Sequence, residues 1–112
     1  MFKKENRLVP GVRFNNSYSF SAPQFILKTK NNGLLLNRFG IVVSKKIDKR
    51  AVIRNRIKRI FRSFLEILNR NILSGHDMLF IVRKEALGKT KEENSQAIKS
   101  ALEKAGIIKI KN

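Results

Sequence analysis

A run of arginine and lysine side chains is the feature of this sequence with the clearest chemical use. Residues 38–62 contain ten basic residues and one acid, Asp48. Five arginines fall within residues 50–62 with no acid among them. Guanidinium groups present planar sets of N–H donors that match phosphate oxygens, and closely spaced cations repel one another unless anions intervene. The run therefore predicts a polyanion-binding surface, and the net charge of +17 favours nucleic acid as the polyanion.

Groups that could act as acids, bases or metal ligands are sparse. The one histidine, His76, follows a Ser-Gly pair, where it is better suited to favouring a helix dipole or capping a carbonyl than to general base catalysis. Glu92 and Glu93 stand where a helix begins, while Asp48 and Asp77 have no second carboxylate at metal-binding spacing. We therefore expect no catalytic residue and no metal ligand in this chain, which argues against a protein nuclease.

A long helix is the element expected to position the arginines. Apolar residues recur with a helical period over residues 49–72, at Ile53, Ile57, Ile60, Phe61, Phe64, Ile67 and Leu68. The opposite side of the helix carries Arg54, Asn55, Lys58, Arg59 and Arg62, with Arg56 near the boundary. Asp48 is the predicted N-cap of this helix, and Ser74-Gly75 is its predicted stop.

Strands are predicted before and after this helix. Residues 24–30 and 34–44 read as strands, the second best formed over 39–44, and the turn signal Asn31-Asn32-Gly33 predicts that they pair as an antiparallel hairpin. Residues 78–82 are apolar throughout, which predicts a central strand. Gly40 stands alone after Phe39 and is expected to allow close backbone approach in its strand.

The two ends of the chain give weaker signals. Residues 1–10 read as a flexible basic lead-in, Pro10-Gly11 breaks regular structure, and residues 12–18 have room for a short helical turn. Residues 19–23 read as a loop or a short extended piece. Near the other end, Thr90 and Glu93 match a capping box that opens a second helix, running to about residue 105.

Three aromatic residues in the first part of the chain have two readings. Phe14, Tyr18 and Phe20 lie in a polar segment, where their rings are available to stack on unpaired bases. The same rings are equally suited to packing this segment onto the sheet. The sequence does not separate these alternatives.

Composition indicates a single folded domain over residues 1–112. The apolar content of 42% supports a core, and the absence of cysteine fits a reducing compartment. The N-terminus lacks the apolar run of a signal peptide, and no stretch approaches the ~18 apolar residues of a membrane span. We therefore expect a cytoplasmic protein with no membrane partner.

Two linked motifs resemble the bacterial ribonuclease P protein subunit. The pattern R-x-G-x-x-V-S-K-K is matched by residues 38–46, and A-V-x-R-N-R-x-K-R-x-x-R by residues 51–62. The chain is also similar to the family in Arg7-Leu8, which Phe14 and Tyr18 follow. Nearly the whole chain is covered by this resemblance.

The resemblance implies a fold and a set of partners. The implied fold is an α/β domain (α+β, sandwich-like) with a small mixed sheet of about four strands. The arginine-rich helix lies in a left-handed β-α-β crossover, and a C-terminal helix follows. The partners are the catalytic RNA subunit of ribonuclease P and precursor tRNA, and no protein partner is required. Mg²⁺ is held mainly by the RNA, which performs the hydrolysis, and the protein binds no cofactor tightly.

The resemblance and the charge pattern together assign the binding residues. RNA binding is expected at Lys45, Lys46, Arg50, Arg54, Asn55, Arg56, Lys58, Arg59 and Arg62. Binding of the single-stranded 5′ leader is expected at Phe14, Tyr18 and Lys28, in a cleft between the sheet and the first helix.

Other functions share the size and charge of this chain. A ribosomal or ribosome-assembly protein would co-purify with ribosomal RNA rather than with one RNA of a few hundred nucleotides. A DNA-binding module would need a recognition helix with side chains free to reach base edges, typically in a dimer. A toxin-like nuclease would cleave RNA without an RNA partner.

Overall fold

The structure, a computed structural model, describes residues 4–8, 12–14 and 17–108. In chain order the main elements are β1 Tyr18–Ser21, β2 Phe25–Asn31, β3 Arg38–Val42, α1 Ala51–Leu68, β4 His76–Val82 and α2 Lys91–Lys104. Short 3-10 helices cover Lys4–Asn6, Asn69–Asn71 and Lys84–Gly88. This arrangement confirms the predicted mixed four-stranded sheet with two helices. Within the described ranges, none of the helices has the length and apolar content needed to cross a bilayer.

β4 lies inside the sheet, as its apolar sequence predicts. The strand order is β1-β2-β4-β3, and β4 pairs antiparallel with β2 and parallel with β3. The predicted antiparallel hairpin of β2 with β3 is therefore wrong, because β4 separates them. The turn itself is present, with Gly33 at φ 72°. Its Asn32 N–H, however, donates to the carbonyl of Gly75, just before β4, at 2.9 Å.

The segment β3–α1–β4 joins two parallel neighbours through a helix. The register pairs Phe39 with Met78 and Ile41 with Phe80, so both strands run the same way along their whole contact. Such a connection needs a crossover over one face of the sheet, and α1 supplies it. The β-α-β unit around the arginine-rich helix is thus present, and the left hand expected of it remains a prediction.

The core lies between one face of the sheet and the two helices. Three rings meet at its centre: the centroids of Phe25 and Phe80 are 5.2 Å apart, those of Phe25 and Phe61 are 5.8 Å apart, and all three pairs are edge-on. Ile98 and Leu102 of α2 belong to the same buried cluster. Alternate residues of β2 and β4 point to the opposite face of the sheet, here called the open face, where Ile26, Lys28, Lys30, Leu79 and Ile81 are half-buried.

The boundaries of α1 differ from those predicted. The N-cap is Arg50, which makes no side-chain capping bond, so the prediction that Asp48 caps the helix is wrong. Asp48 instead accepts the N–H of Arg50 one residue before the helix, at 2.8 Å. The helix ends at Leu68 and continues as a 3-10 turn, whereas the predicted stop, Gly75, lies in the connection to β4 with φ 92°.

The buried side of α1 is slightly rotated from the predicted one. Ile57, Phe61 and Leu65 are its buried residues. Ile67 was expected to share this side but is 69% exposed. It lies six residues from Phe61, which is about a third of a turn off the centre of the buried stripe.

The start of α2 is as predicted. Thr90 accepts the N–H of Glu93 at 3.1 Å, and the Glu93 carboxylate accepts the N–H of Thr90 at 3.1 Å. This reciprocal capping box holds the pKa of Glu93 below its usual value, chiefly through the backbone bond from Thr90. Gly106, at φ 71°, follows the helix end.

Residues 4–8 contact the edge of the sheet at β3, in contrast to the flexible lead-in expected there. Arg7 forms a bridge with Phe39, and the Leu8 N–H donates to the Phe39 carbonyl at 2.9 Å. Gly40 permits this approach, because a Cβ atom at that position would lie 3.0 Å from Leu8 Cδ2 and 3.1 Å from Leu79 Cδ1. The close approach predicted at Gly40 is confirmed.

The helical turn expected over residues 12–18 is absent from the part of that segment that the structure describes. Residues 12–14 and Ser17 are not helical, and Tyr18 already begins β1. The extended piece expected over residues 19–23 overlaps β1, which pairs antiparallel with β2. The predicted break at Pro10-Gly11 lies outside the described residues.

Candidate RNA-binding surface

The exposed side of α1 carries the predicted RNA-binding residues of the helix. Because Ile57, Phe61 and Leu65 take the buried side, the intervening positions point outward. Of the six candidates on α1, four are exposed and two are half-buried: Asn55, Arg56, Arg59 and Arg62 are exposed, and Arg54 and Lys58 are half-buried. The sequence pattern thus correctly predicted which side of the helix presents cations.

The loop between β3 and α1 adds further cations beside the helix start. Lys45 and Lys46 are exposed on a turn closed by the bond from Ile47 N–H to the Ser44 carbonyl, at 3.0 Å. Arg54 Nη1 reaches back from α1 to the carbonyls of Asp48 and Lys49, at 2.9 and 2.8 Å. Arg54 therefore fixes the loop to the helix, so that loop and helix form one rigid basic surface.

We use the name basic surface for the nine predicted RNA-binding residues taken together: Lys45, Lys46, Arg50, Arg54, Asn55, Arg56, Lys58, Arg59 and Arg62. An acid beside its start, Asp48, is bound to Arg50 through Nε at 3.1 Å and Nη2 at 2.9 Å. The side-chain bond from Arg50 and then its backbone N–H lower the pKa of Asp48 to about 2. Asp48 is therefore charged at neutral pH and offsets one cation of the surface, Arg50.

The basic surface is a ridge with two flanks rather than a flat face. On one flank, Arg56 lines a groove against the start of α2. On the other flank, Arg62 lines a cavity of about 220 Å³ together with Arg7, Leu8 and Gly40. Sequence reasoning did not assign Arg7 to RNA binding, because only the folded chain brings it beside Arg62.

The three predicted leader-binding residues do not share one face. Lys28 lies on the open face of the sheet, whereas Tyr18 is paired with Thr29 and so points to the opposite face, at the edge of the sheet. Phe14 is half-buried, and its ring centroid lies 5.2 Å from the ammonium of Lys30, a neighbour of Lys28 on the open face. The structure therefore places Phe14 beside Lys30 on the open face and Tyr18 on the other face, and leader binding by Phe14, Tyr18 and Lys28 remains a prediction.

The structure distinguishes the aromatic residues that pack onto the sheet from those that are exposed. Phe20 packs against the hydrophobic core, which matches the packing alternative. Tyr18 is 73% exposed, so its ring does not pack on the sheet. Stacking of Tyr18 or Phe14 on a base remains a prediction.

The candidate acids and the histidine have structural contacts. His76 Nδ1 lies 2.9 Å from the Leu73 carbonyl, and Asp77 is buried in a two-bond ion pair with Arg38, both bonds at 2.7 Å. Burial favours the neutral form of Asp77, but the bonds from Arg38 and Asn32 outweigh it and the pKa of Asp77 is lowered. Across residues 4–8, 12–14 and 17–108, no group of three or more His, Cys, Asp or Glu side chains is arranged to hold a metal ion.

A small α+β domain with an arginine-rich ridge on one helix has the charge distribution of the class of nucleic-acid-binding proteins. The family model for ribonuclease P matches residues 2–106 of this chain. The chain therefore belongs to the ribonuclease P protein family.

Individual relatives and solved structures agree with this membership. The chain is 35% identical to the ribonuclease P protein component of Clostridium acetobutylicum over 111 residues, covering 94% of this chain and 92% of the relative. It is 31% identical to the Staphylococcus aureus RNase P protein structure, with a TM-score of 0.77 and coverage of 85% and 86%. The Thermotoga maritima RNase P protein bound to 1-(4-fluorophenyl)-2-thiourea is 27% identical, with a TM-score of 0.74 and coverage of 80% and 86%.

Proposed function

We propose that this chain binds the catalytic RNA of ribonuclease P and the 5′ leader of precursor tRNA, and so assists the endonucleolytic 5′ maturation of tRNA. In this proposal the RNA subunit performs the hydrolysis with bound Mg²⁺, and the protein supplies binding and orientation. The complex works in the cytoplasm without a further protein subunit. Membership of the ribonuclease P protein family supports the association with the ribonuclease P RNA and its tRNA substrate.

The observation that carries the proposal is the outward orientation of the cations of α1. Arg56, Arg59 and Arg62 are exposed on the same helix whose other side is buried in the core. Like charges at this spacing destabilise a free helix, and phosphate groups remove that cost when they bind. The helix is held by its buried stripe, so its backbone needs no rearrangement to present the arginines to an RNA backbone.

The open face of the sheet is the proposed site for the single-stranded leader. Lys28 and Lys30 offer cations for its phosphates, while Phe14 offers a ring beside them. A cationic groove with a stacking ring binds single strands with little dependence on base sequence. Tyr18, on the other face of the edge strand, is not part of this site.

The described residues do not fit a protein-built Mg²⁺ site. Their carboxylates are engaged in the Arg38–Asp77 pair, the Asp48–Arg50 pair and the capping box of α2, or stand apart from other ligand groups. We therefore derive no step through a metal held by this chain, and assign the metal to the RNA.

The test reconstitutes the protein with its catalytic RNA and a precursor tRNA at limiting Mg²⁺. Wild-type protein is expected to stimulate 5′ cleavage. The double variant Arg59→Ala/Arg62→Ala should bind the RNA about a hundredfold more weakly, since each charge-assisted bond is worth about 1.5–3 kcal/mol and 1.4 kcal/mol is tenfold. The control, Lys99→Ala/Lys104→Ala, removes the same charge from exposed positions of α2.

Three results would contradict the proposal. If the α1 and α2 double variants lose RNA affinity equally, net charge rather than the basic surface binds the RNA. If protein purified from cells carries ribosomal RNA and does not stimulate cleavage, the chain serves another ribonucleoprotein. Cleavage of transcripts by the isolated protein would contradict the assignment of the chemistry to RNA.

A further inference from the structure

A groove of about 390 Å³ lies between the first half of α1 and the start of α2. Its apolar lining comes from Ile53, Ile57 and Ile60 of α1 and from Ala86 and Leu87 of the 3-10 helix that precedes α2. Sites for small molecules in proteins have volumes of roughly 300–1,000 Å³ and largely apolar walls with a few polar groups. The groove is therefore of the size and character of a ligand site.

Cations surround this apolar lining. Arg50 and Arg56 stand on the α1 side, and Lys89 and Lys91 stand on the α2 side. The acid at the rim, Asp48, is engaged with Arg50 at 2.9 Å. Lys89 lies 3.9 Å from Glu93, which is a long and exposed pair and so holds the ammonium weakly. The rim complements an anion, while the interior complements an apolar surface.

One buried polar atom in the groove lining has no partner within residues 4–8, 12–14 and 17–108. Asn94 is 5% exposed, and its buried Oδ1 accepts no hydrogen bond from these described residues. Its Nδ2 donates to the Ala86 carbonyl at 3.4 Å, which is longer than the usual 2.7–3.2 Å and holds the amide weakly. A buried acceptor without a donor is costly, and the terminal torsion of Asn rotates easily. Asn94 Oδ1 is thus an acceptor available to a donor that enters the groove.

We propose that this groove takes one unstacked nucleotide of the RNA partner. The base enters the apolar slot and its N–H donor bonds Asn94 Oδ1, while its flanking phosphates pair with Arg56 and Lys91. A base satisfies both requirements at once, because it has an apolar face, a polar edge with donors, and a phosphate on each side. This inference rests on the proposed function, since it gives the same RNA a second, base-contacting site beside the phosphate-contacting ridge.

The first experiment is the variant Asn94→Leu, which keeps the volume of the side chain and removes its polar atoms. Replacing a poorly paired buried amide by an apolar group of similar shape is expected to leave the thermal midpoint unchanged or higher. Affinity for the catalytic RNA should nevertheless fall about tenfold, the effect of one buried hydrogen bond. Lys91→Ala should also weaken binding, whereas Lys99→Ala, on the same helix away from the groove, should not.

The second experiment identifies the nucleotide. A photo-crosslinking amino acid replaces Leu87, which is 39% exposed, and a control protein carries it at Lys99. Crosslinks from position 87 should fall on one nucleotide of the catalytic RNA. Removing the base of that nucleotide should weaken binding of the wild type by more than tenfold, because the apolar contacts are lost together with the hydrogen bond. The same removal should weaken binding of Asn94→Leu about tenfold less than it weakens the wild type, since the hydrogen bond is already absent there.

The outcomes separate this inference from the proposed function. If wild type binds the catalytic RNA and Asn94→Leu binds it equally well, the inference is overturned and the proposed function stands. Scattered crosslinks, or crosslinks equal to those of the Lys99 control, overturn it in the same way. If wild type does not bind the catalytic RNA at all, the proposed function has failed.

Discussion

Asp77 illustrates how one buried charge organises the open face of the sheet. Its side chain is 0% exposed, and it accepts bonds from Arg38 in the next strand and from Asn32 in the turn after β2. The motif arginine Arg38 therefore has a buried structural partner, in contrast to the exposed arginines Arg56, Arg59 and Arg62 of α1. The pair ties β3, β4 and the turn together at one edge of the molecule.

Asp77→Ala should destabilise the protein by about 3 kcal/mol, because removing one partner leaves the Arg38 guanidinium uncompensated. The free energy of unfolding from urea denaturation measures the effect. Glu103→Ala, an exposed acid on α2, serves as the control and should change stability by less than about 0.5 kcal/mol. Equal effects of the two variants would show that the pair contributes nothing to the fold.

The lowered carboxylate pKa values predict acid sensitivity. The folded pKa values of Asp48 and Asp77 lie below the ordinary value of 3.8, and that of Asp48 is about 2. The stability they contribute is therefore complete above pH 3.8 and is lost as the pH falls through the folded pKa values. Urea unfolding at a series of pH values should report this loss. A carboxyl titration of Asp48 by NMR with its midpoint at 3.8 would contradict the Asp48–Arg50 bonds.

At the scale of elements, the contact of residues 4–8 with β3 depends on the absence of a side chain at Gly40. A methyl group at Gly40 would meet Leu8 Cδ2 at 3.0 Å and Leu79 Cδ1 at 3.1 Å. Leu79 is held in the central strand, whereas Leu8 belongs to a segment with few contacts. A clash at this point is therefore expected to move residues 4–8 and not the sheet.

Gly40→Ala should release this segment from β3. Hydrogen exchange of the Leu8 amide, which donates to the Phe39 carbonyl at 2.9 Å, should become faster, while amides of β4 exchange as before. Gly88→Ala is the matched control, because a Cβ atom there meets nothing within 4 Å. Unchanged exchange at Leu8 would mean that its side chain moves aside without loss of the backbone contact.

The elements also explain what the sequence could predict. Local signals were sufficient for the capping box at Thr90, the central position of β4 and the outward arginines of α1, since each depends on neighbouring residues or on apolar content. They were insufficient for strand pairing. The Asn31-Asn32-Gly33 turn is compatible with pairing of β2 and β3 and also with a strand inserted between them. The inserted strand is β4, which begins more than 40 residues after the turn.

The candidate site was predictable to the same extent. Helical periodicity identified the cations of α1, because exposure there follows from the buried stripe. The groove lined by Arg56 and Lys91, and the cavity shared by Arg7 and Arg62, were not predictable, because each joins segments that are distant in the chain. The face of the sheet on which Tyr18 lies was not predictable for another reason. A helical turn was expected where the chain is extended, and the two conformations point the Tyr18 side chain in different directions.

For the molecule as a whole, charge is distributed unevenly. The net charge is +17, yet residues 85–105 carry four bases and four acids, so the excess lies elsewhere, with a concentration on and before α1. Binding to RNA should therefore depend on salt through the basic surface in particular. The number of phosphates it contacts determines how steeply affinity falls.

A plot of log affinity against log salt concentration should be steep for the wild type. Each phosphate contact that is lost reduces the slope by about 1, so Arg59→Ala/Arg62→Ala should lower it by about 2. Asn94→Leu should lower affinity at every salt concentration and leave the slope unchanged, because it removes a neutral contact. Fluorescence anisotropy with labelled RNA measures both. A slope that is the same in all three proteins would contradict the division of the site into a phosphate-binding ridge and a base-binding groove.

The strand order also determines when, during synthesis of the protein, the sheet can be completed. β4 lies between β2 and β3 in the sheet, so neither β2 nor β3 can pair with it until translation has passed Val82. At about 5–20 residues per second, the nascent chain spends seconds with the whole of α1 made and no completed sheet to receive it. The most cationic part of the polypeptide is thus made before the sheet against which it packs can be completed.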